Sequence, residues 1–203
     1  SAATTYRFTD LGTTGGTSTY ASSINDRGQI VGEGTTSGDA QYVAWYWENG
    51  TMSMLQDAGG KKSHAYAINN AGTIVGAGRT TVGSESFAIM WRGGASNDLG
   101  TLGGKRSLAL SVNDLDNIVG FSYITGNKSF HATMWSNGGV VDIGTLGGIY
   151  SQANDINVHN QIVGMSTTLD DPFHFHAALW DNGKSSDLGS FGGVYTQAIS
   201  IND

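Results

Sequence analysis

One set of motifs returns about every 44 residues, and no fold without a repeating unit can accommodate that. A double glycine stands at Gly15-Gly16, Gly59-Gly60, Gly103-Gly104, Gly147-Gly148 and Gly192-Gly193, in steps of 44, 44, 44 and 45. An Ile/Val-Asn pair keeps the same phase at Ile24-Asn25, Ile68-Asn69, Val112-Asn113, Ile156-Asn157 and Ile201-Asn202. Ile-Val-Gly follows at Ile30, Ile74, Ile118 and Ile162, and Ala-x-x-Trp-x-x-Gly at Ala44, Ala88, Ala132 and Ala177. A fixed period of this size is the mark of a repeat architecture.

Each period reads as four short strands. In the third copy, Ser107 to Asn113 alternates polar and apolar residues, which is strand periodicity. Ile118 to Tyr123, Phe130 to Trp135 and Val140 to Ile143 supply the other three, separated by Asn-, Asp- and Gly-rich turns. No segment combines helical apolar spacing with helix caps, so almost no helix is expected. Four antiparallel strands in 40–45 residues is the arithmetic of a β-propeller blade. Small residues at Ala21, Ala65, Ala109, Ala153 and Ala198 would let sheets approach near a crowded axis. The rival β-solenoid needs the two halves of each period to resemble each other, and they do not.

The segments Phe130 to Trp135 (FHATMW) and Phe175 to Trp180 (FHAALW), with DLGTLGG at 98–104 and INDRGQIVG at 24–32, resemble the HAF repeat of bacterial extracellular proteins. The resemblance covers nearly the whole chain. It implies secretion and a propeller-like array, and it implies no particular activity. The first two copies depart from it, with Val43 and Phe87 where His131 and His176 stand.

The expectation is therefore an all-β chain, a β-propeller of four full repeats plus a half repeat. It is one domain, 1–203, with repeats at about 6–50, 51–94, 95–138, 139–183 and a partial 184–203. Counting landmarks gives about eighteen strands, in a five-position ring or part of a larger one. The unpaired ends invite self-association through open blade edges. The start, Ser1-Ala2-Ala3, reads as a mature or trimmed terminus.

Composition excludes several functions. The 203 residues contain no cysteine, so neither a disulfide nor a Cys-ligated zinc exists. Ten Lys and Arg face seventeen Asp and Glu, net −7, with no basic run. This speaks against nucleic acid as a partner. No apolar run approaches the roughly 18 residues of a membrane span.

Most recurring polar residues have structural duties. The sequence at 100–107, GTLGGKRS, resembles a phosphate loop, but Leu99 stands where its first glycine belongs and no helix follows. The repeated Asn is expected to start a turn through its own backbone. Asp10, Asp98, Asp142 and Asp187 are expected to cap the glycine loops. No copy matches a calcium loop; Asn113 to Asn117 comes nearest. The histidine column at His131 and His176 also holds Val and Phe, and is expected to be a packing position.

Departures from the repeat are where function is sought. The fourth copy is one residue longer, in a loop holding the sole proline, Pro172, with Asp170, Asp171, His174 and His176. His174 and His176 would share a strand face, a possible divalent-metal set and the only cofactor suggested. The first copy crowds Tyr42, Trp45, Tyr46 and Trp47 on one strand. Trp47 is the repeat's core Trp. Tyr42, Trp45, Tyr46 and Glu48 are the candidate ligand-binding set, an aromatic platform for sugar rings with a polar neighbour. No catalytic constellation is legible. The expected function is a secreted, non-enzymatic module binding glycan or another surface polymer. The alternatives are a self-assembling extracellular surface protein and a polysaccharide hydrolase or lyase.

Overall fold

The computed structural model describes residues 5–56, 62–79 and 85–203. Sixteen strands form four antiparallel sheets of four, each meandering in chain order. The first sheet holds β1 (Thr19–Ile24), β2 (Ile30–Thr35), β3 (Tyr42–Glu48) and β4 (Thr51–Met54). The second holds β5 (Ser63–Ile68), β6 (Ile74–Arg79), β7 (Ser86–Arg92) and β8 (Ala95–Asp98). The third holds β9 (Gly103–Val112), β10 (Ile118–Ile124), β11 (Phe130–Ser136) and β12 (Gly139–Gly144). The fourth holds β13 (Gly147–Ile156), β14 (Ile162–Thr168), β15 (His176–Asp181) and β16 (Lys184–Gly189). The only helical piece among the described residues is one 3-10 turn, Ser37–Asp39.

The motifs map onto this meander with a physical reason for each. The β3–β4, β7–β8, β11–β12 and β15–β16 hairpins turn at Asn49-Gly50, Gly93-Gly94, Asn137-Gly138 and Asn182-Gly183, all with φ between +49° and +86°. Two consecutive positive φ values define the tight turn whose twist matches paired strands. The glycine of Ile-Val-Gly has another role. The inner strand bulges opposite it, between Ala65 and Ala67 in β5 for example. A Cβ on Gly76, Gly120 or Gly164 would lie 1.9–2.0 Å from the inner strand's carbonyl oxygen.

Three apolar clusters fill the three gaps between consecutive sheets. In each, Val and Ala of one sheet meet the Ala, Ile and Trp of the next, with Trp91, Trp135 and Trp180 at most 4% exposed. A buried serine of the inner strand pins the seam. Ser63, Ser107 and Ser151 accept the backbone N–H of Ala44, Ala88 and Ala132 at 2.8–3.0 Å. The sheets are therefore successive blades, and the four-stranded periods expected from the sequence are present.

One expectation needs correction. Among the described residues there are sixteen strands rather than about eighteen, because residues 5–13 and 190–203 form none. Each sheet straddles one of the repeat boundaries at 50, 94, 138 and 183, with its fourth strand beyond it, as the reading of Val140 to Ile143 implies. The C-terminal segment nonetheless sits where a fifth inner strand would. Ala198 donates its N–H to the Gly164 carbonyl at 3.0 Å, and Thr196 to Phe175 at 2.8 Å. The blades do not close into a ring. The outer flank of the first blade stays open, leaving Ile24 64% exposed while its equivalents Ile68, Val112 and Ile156 are buried.

Candidate functional site

The most regular polar feature is an asparagine ladder at one end of the inner strands. The side-chain amides of Asn25, Asn69, Asn113 and Asn157 donate to the backbone carbonyls of Asn69, Asn113, Asn157 and Asn202 at 2.9–3.1 Å. Each side-chain carbonyl accepts N–H groups of its own turn, as Asn113 does from Leu115 and Asn117. The five Ile/Val-Asn pairs surround a shallow pocket of about 320 Å3. The amides of Asn25, Asn69, Asn113 and Asn157 are taken up by these bonds, so the ladder clamps blade to blade, a duty beyond the turn that the repeated Asn is expected to start.

The glycine loops are clamps as well. Asp10, Asp98, Asp142 and Asp187 each accept the N–H two residues on at 2.7–2.9 Å, the expected capping role. Gly15, Gly103, Gly147 and Gly192 have φ between +79° and +100°. Gly59, Gly60 and Lys61 lie outside the described residues.

The histidine column behaves differently from a packing position. His131 Nδ1 bonds Asp142 at 2.7 Å and His176 Nδ1 bonds Asp187 at 2.9 Å, pairing the third and fourth strands. Val43 and Phe87 stand at the same position in the first two blades, which hid the column's polar role in the sequence.

In the loop of the fourth repeat, Asp171 is the hub. It bonds His174 Nδ1 at 2.8 Å, and its other oxygen lies 3.7 Å from His176 Nε2. The hydrogen bond from His174 holds its carboxyl below the usual range. His174 and His176 are thus committed to carboxylates. Among the described residues no three His, Asp or Glu side chains form a group that could hold a metal. Asp170 lines a cleft beside Asp171 and His176.

The aromatic cluster of the first blade is divided by the sheet. Trp45 is 1% exposed, packed over Gly32, whose missing side chain leaves the room. Trp47 is the half-buried one, because its flank is open. The expectation that Trp47 is core and Trp45 available is reversed. Tyr42 stacks on His64 of the next blade, ring centroids 5.8 Å apart. His64 also bonds Glu33, a pair spanning two blades that two isolated residues in the sequence could not announce.

Tyr46 is the candidate that reaches a groove. Between the first and second blades lies a cleft of about 430 Å3. Tyr46, Leu55, Ile74 and Trp91 form its apolar wall; Gln29, Gln56 and Arg92 supply polar groups. Trp91 donates its indole N–H to the Gln56 carbonyl at 2.6 Å, fixing that wall. Glu48 accepts from Gln29 Nε2 at 2.7 Å, and Gln29 in turn accepts from Asn25 at 2.6 Å. Glu48 therefore orients the rim, and its carboxyl is lowered by Gln29 and Tyr46. Burial, with Glu48 beside it, raises the Tyr46 phenol.

The groove recurs one period on. Met90, Leu99, Trp135 and Gly138 stand where Tyr46, Leu55, Trp91 and Gly94 stand, around a cleft of about 500 Å3. Arg92 borders both clefts. It bonds Thr73 at 3.0 Å and Asp116 at 2.5 Å. Burial opposes ionisation of Asp116, but bonds from Arg92, Thr73 and Asn69 outweigh it and hold its carboxyl low.

Sheets of four meandering strands, packed in series about an inner strand, define a β-propeller-like arrangement of blades. A solved structure agrees at that level: the β-propeller domain of the Trilobed protease from Pyrococcus furiosus, described as having an open velcro topology. It superposes with a TM-score of 0.60 at 12% identity, over 87% of this chain and 53% of that one. The chain thus spans about half the length of that propeller structure, and the likeness is one of fold alone. No family model and no curated protein matches the sequence.

Proposed function

We propose that the protein is a non-enzymatic binding module of the cell exterior whose ligand is a glycan, held in the cleft between the first and second blades. The observation that carries this reading is the division of that cleft. One wall is apolar and partly aromatic, from Tyr46, Leu55 and Trp91, and the rim offers the polar groups of Ser53, Gln56 and Arg92. A sugar ring has the matching halves, C–H faces that pack on apolar surface and hydroxyls that need donors and acceptors. Glu48 acts at one remove by holding Gln29 in place. The recurrence of the cleft one period on suits a ligand with repeating units. The extracellular placement rests on the likeness to HAF repeats and on the absence of cysteine.

The test is binding to a panel of polysaccharides with Met54→Asp beside the native protein. Met54 lines the cleft and is 56% exposed, so the substitution charges the cleft without opening the core. Retention on at least one neutral polysaccharide, weakened at least tenfold in the variant at unchanged melting temperature, is the expected result. Equal binding by both proteins, or none across the panel, would sink the reading.

A further inference from the structure

We infer that the open position beside the fourth blade is a receptor for a β-hairpin of the same repeat type, two strands carrying the Ile-Val-Gly and Ala-x-x-Trp patterns. Two of the four strands of a fifth blade already have counterparts in this chain. Residues 194–203 take the inner-strand position. Asn202 accepts from the Asn157 side chain and Asp203 from the Val158 N–H, at 3.1 and 3.0 Å, continuing the ladder of the complete blades. Tyr195 packs at a tilt on Phe175, ring centroids 5.6 Å apart, as Tyr150 does on Phe130 at 5.0 Å. Residues 7–12 are in register with β8, β12 and β16, and Asp10 caps Gly12 as the other fourth-strand aspartates cap their glycines. They form no strand, and Phe8 is 97% exposed. The two middle strands of that blade have no counterpart among the described residues.

The flanking faces have the shapes those strands would fill. In each complete gap a Trp packs against the Leu or Ile that ends the preceding blade: Leu55, Leu99 or Ile143. The equivalent Leu188 is 55% exposed, with no Trp over it. On the far side Trp47 lacks the apolar cover its three counterparts have. The occupant is thus specified by continuity with an interface built three times in this chain. A second copy is the poorer fit. Its middle strands are engaged in its own sheets, and its first blade would have to displace residues 194–203.

A peptide with the sequence of residues 114–138, which spans β10 and β11, is the probe. Added to the intact protein, it is expected to saturate at one per chain, raise the melting temperature by several degrees and shift the Trp47 indole N–H resonance. Trp47→Asp should weaken that binding at least tenfold. Ordering a free hairpin costs part of its binding energy. A second protein therefore carries the sequence of residues 115–138 fused after Asp203, making the event intramolecular. A higher melting temperature of the fusion, with Phe8 amide exchange slowed, supports the receptor even where the free peptide binds weakly. A fusion that melts with the native protein and leaves Phe8 and Trp47 unchanged overturns it. So does a concentration-dependent dimer that excess peptide fails to dissociate.

Discussion

At the scale of the residue, glycine does two different jobs that composition alone cannot separate. Gly120 faces the Leu108 carbonyl, and an added Cβ would lie 1.9 Å from that oxygen. Gly138 has φ +76° and open space around it. Gly120→Ala must therefore move the inner strand, while Gly138→Ala meets only left-handed strain of about 1–2 kcal/mol. Urea unfolding should rank them, with Gly120→Ala losing roughly 3 kcal/mol or more and Gly138→Ala the smaller amount. The period made Gly120 identifiable in the sequence, but its reason lay in a bulge on another strand. Tyr66 gives a pH prediction at the same scale. Its burial pushes the phenol from 10.0 up to about 12. The folded state resists ionisation, so the stabilisation is whole below pH 10 and is lost as pH rises from 10 towards 12. The loss is at most roughly 2–3 kcal/mol. Melting temperature should fall between pH 9 and 11.5 in the native protein and fall less in Tyr66→Phe; parallel curves would contradict this.

At the scale of the element, strands and turns were largely legible. Ile118 to Tyr123 and Phe130 to Trp135 are read from the sequence within one residue of β10 and β11. Alternation and Asn-Gly turns are local, and local chemistry decides them. What joins one element to another was less visible. Asn113 is read as a turn former, and it is one, yet its amide also donates to the Asn157 carbonyl 44 residues away at 2.9 Å. His131 is read as packing because Val43 and Phe87 share its column, and its partner Asp142 is already assigned to a glycine cap. Asn113→Ala removes the inter-blade bond and the acceptor for two turn N–H groups at a buried site. Each orphaned group costs about 1–3 kcal/mol, so a loss of roughly 3 kcal/mol or more is expected in denaturant melts. Asn113→Asp keeps the turn acceptor but not the donor, and should fall between native and Ala. Acid acts on elements too. The Asp116 carboxyl, held low, bridges the second and third blades through Arg92 and Asn69. Its stabilisation is present above the ordinary carboxylate pKa and lost as pH falls through the lowered folded value. The native protein should lose more stability between pH 5 and 2.5 than Asp116→Asn, measured by urea midpoints.

At the scale of the whole molecule, each blade leans on its neighbours, and the ends of the series differ from its middle. The sequence predicted one environment for the four repeated Trp residues, since one column implies one role. The structure breaks that equivalence, because a column cannot report which blade lacks a neighbour. Trp91 and Trp135 are each 2% exposed between two blades. Trp47 faces the open flank and is half-buried, while Trp45, outside the column, takes the enclosed place over Gly32. Cavity costs follow enclosure: truncating a buried Trp costs about 3–5 kcal/mol, and an edge Trp whose site is already open to water costs less. Trp135→Ala should therefore unfold at far lower urea than Trp47→Ala, which should lose no more than about 1–2 kcal/mol, and Trp45→Ala should resemble Trp135→Ala. Stability in such stacked units is close to a sum of unit and nearest-neighbour terms. Trp135→Ala should accordingly loosen the seam between the second and third blades first. Hydrogen exchange would show Ala88 and Ala109 losing protection before Ala153 and Ala178, whereas uniform loss through all four blades would mean that the array folds as one cooperative body.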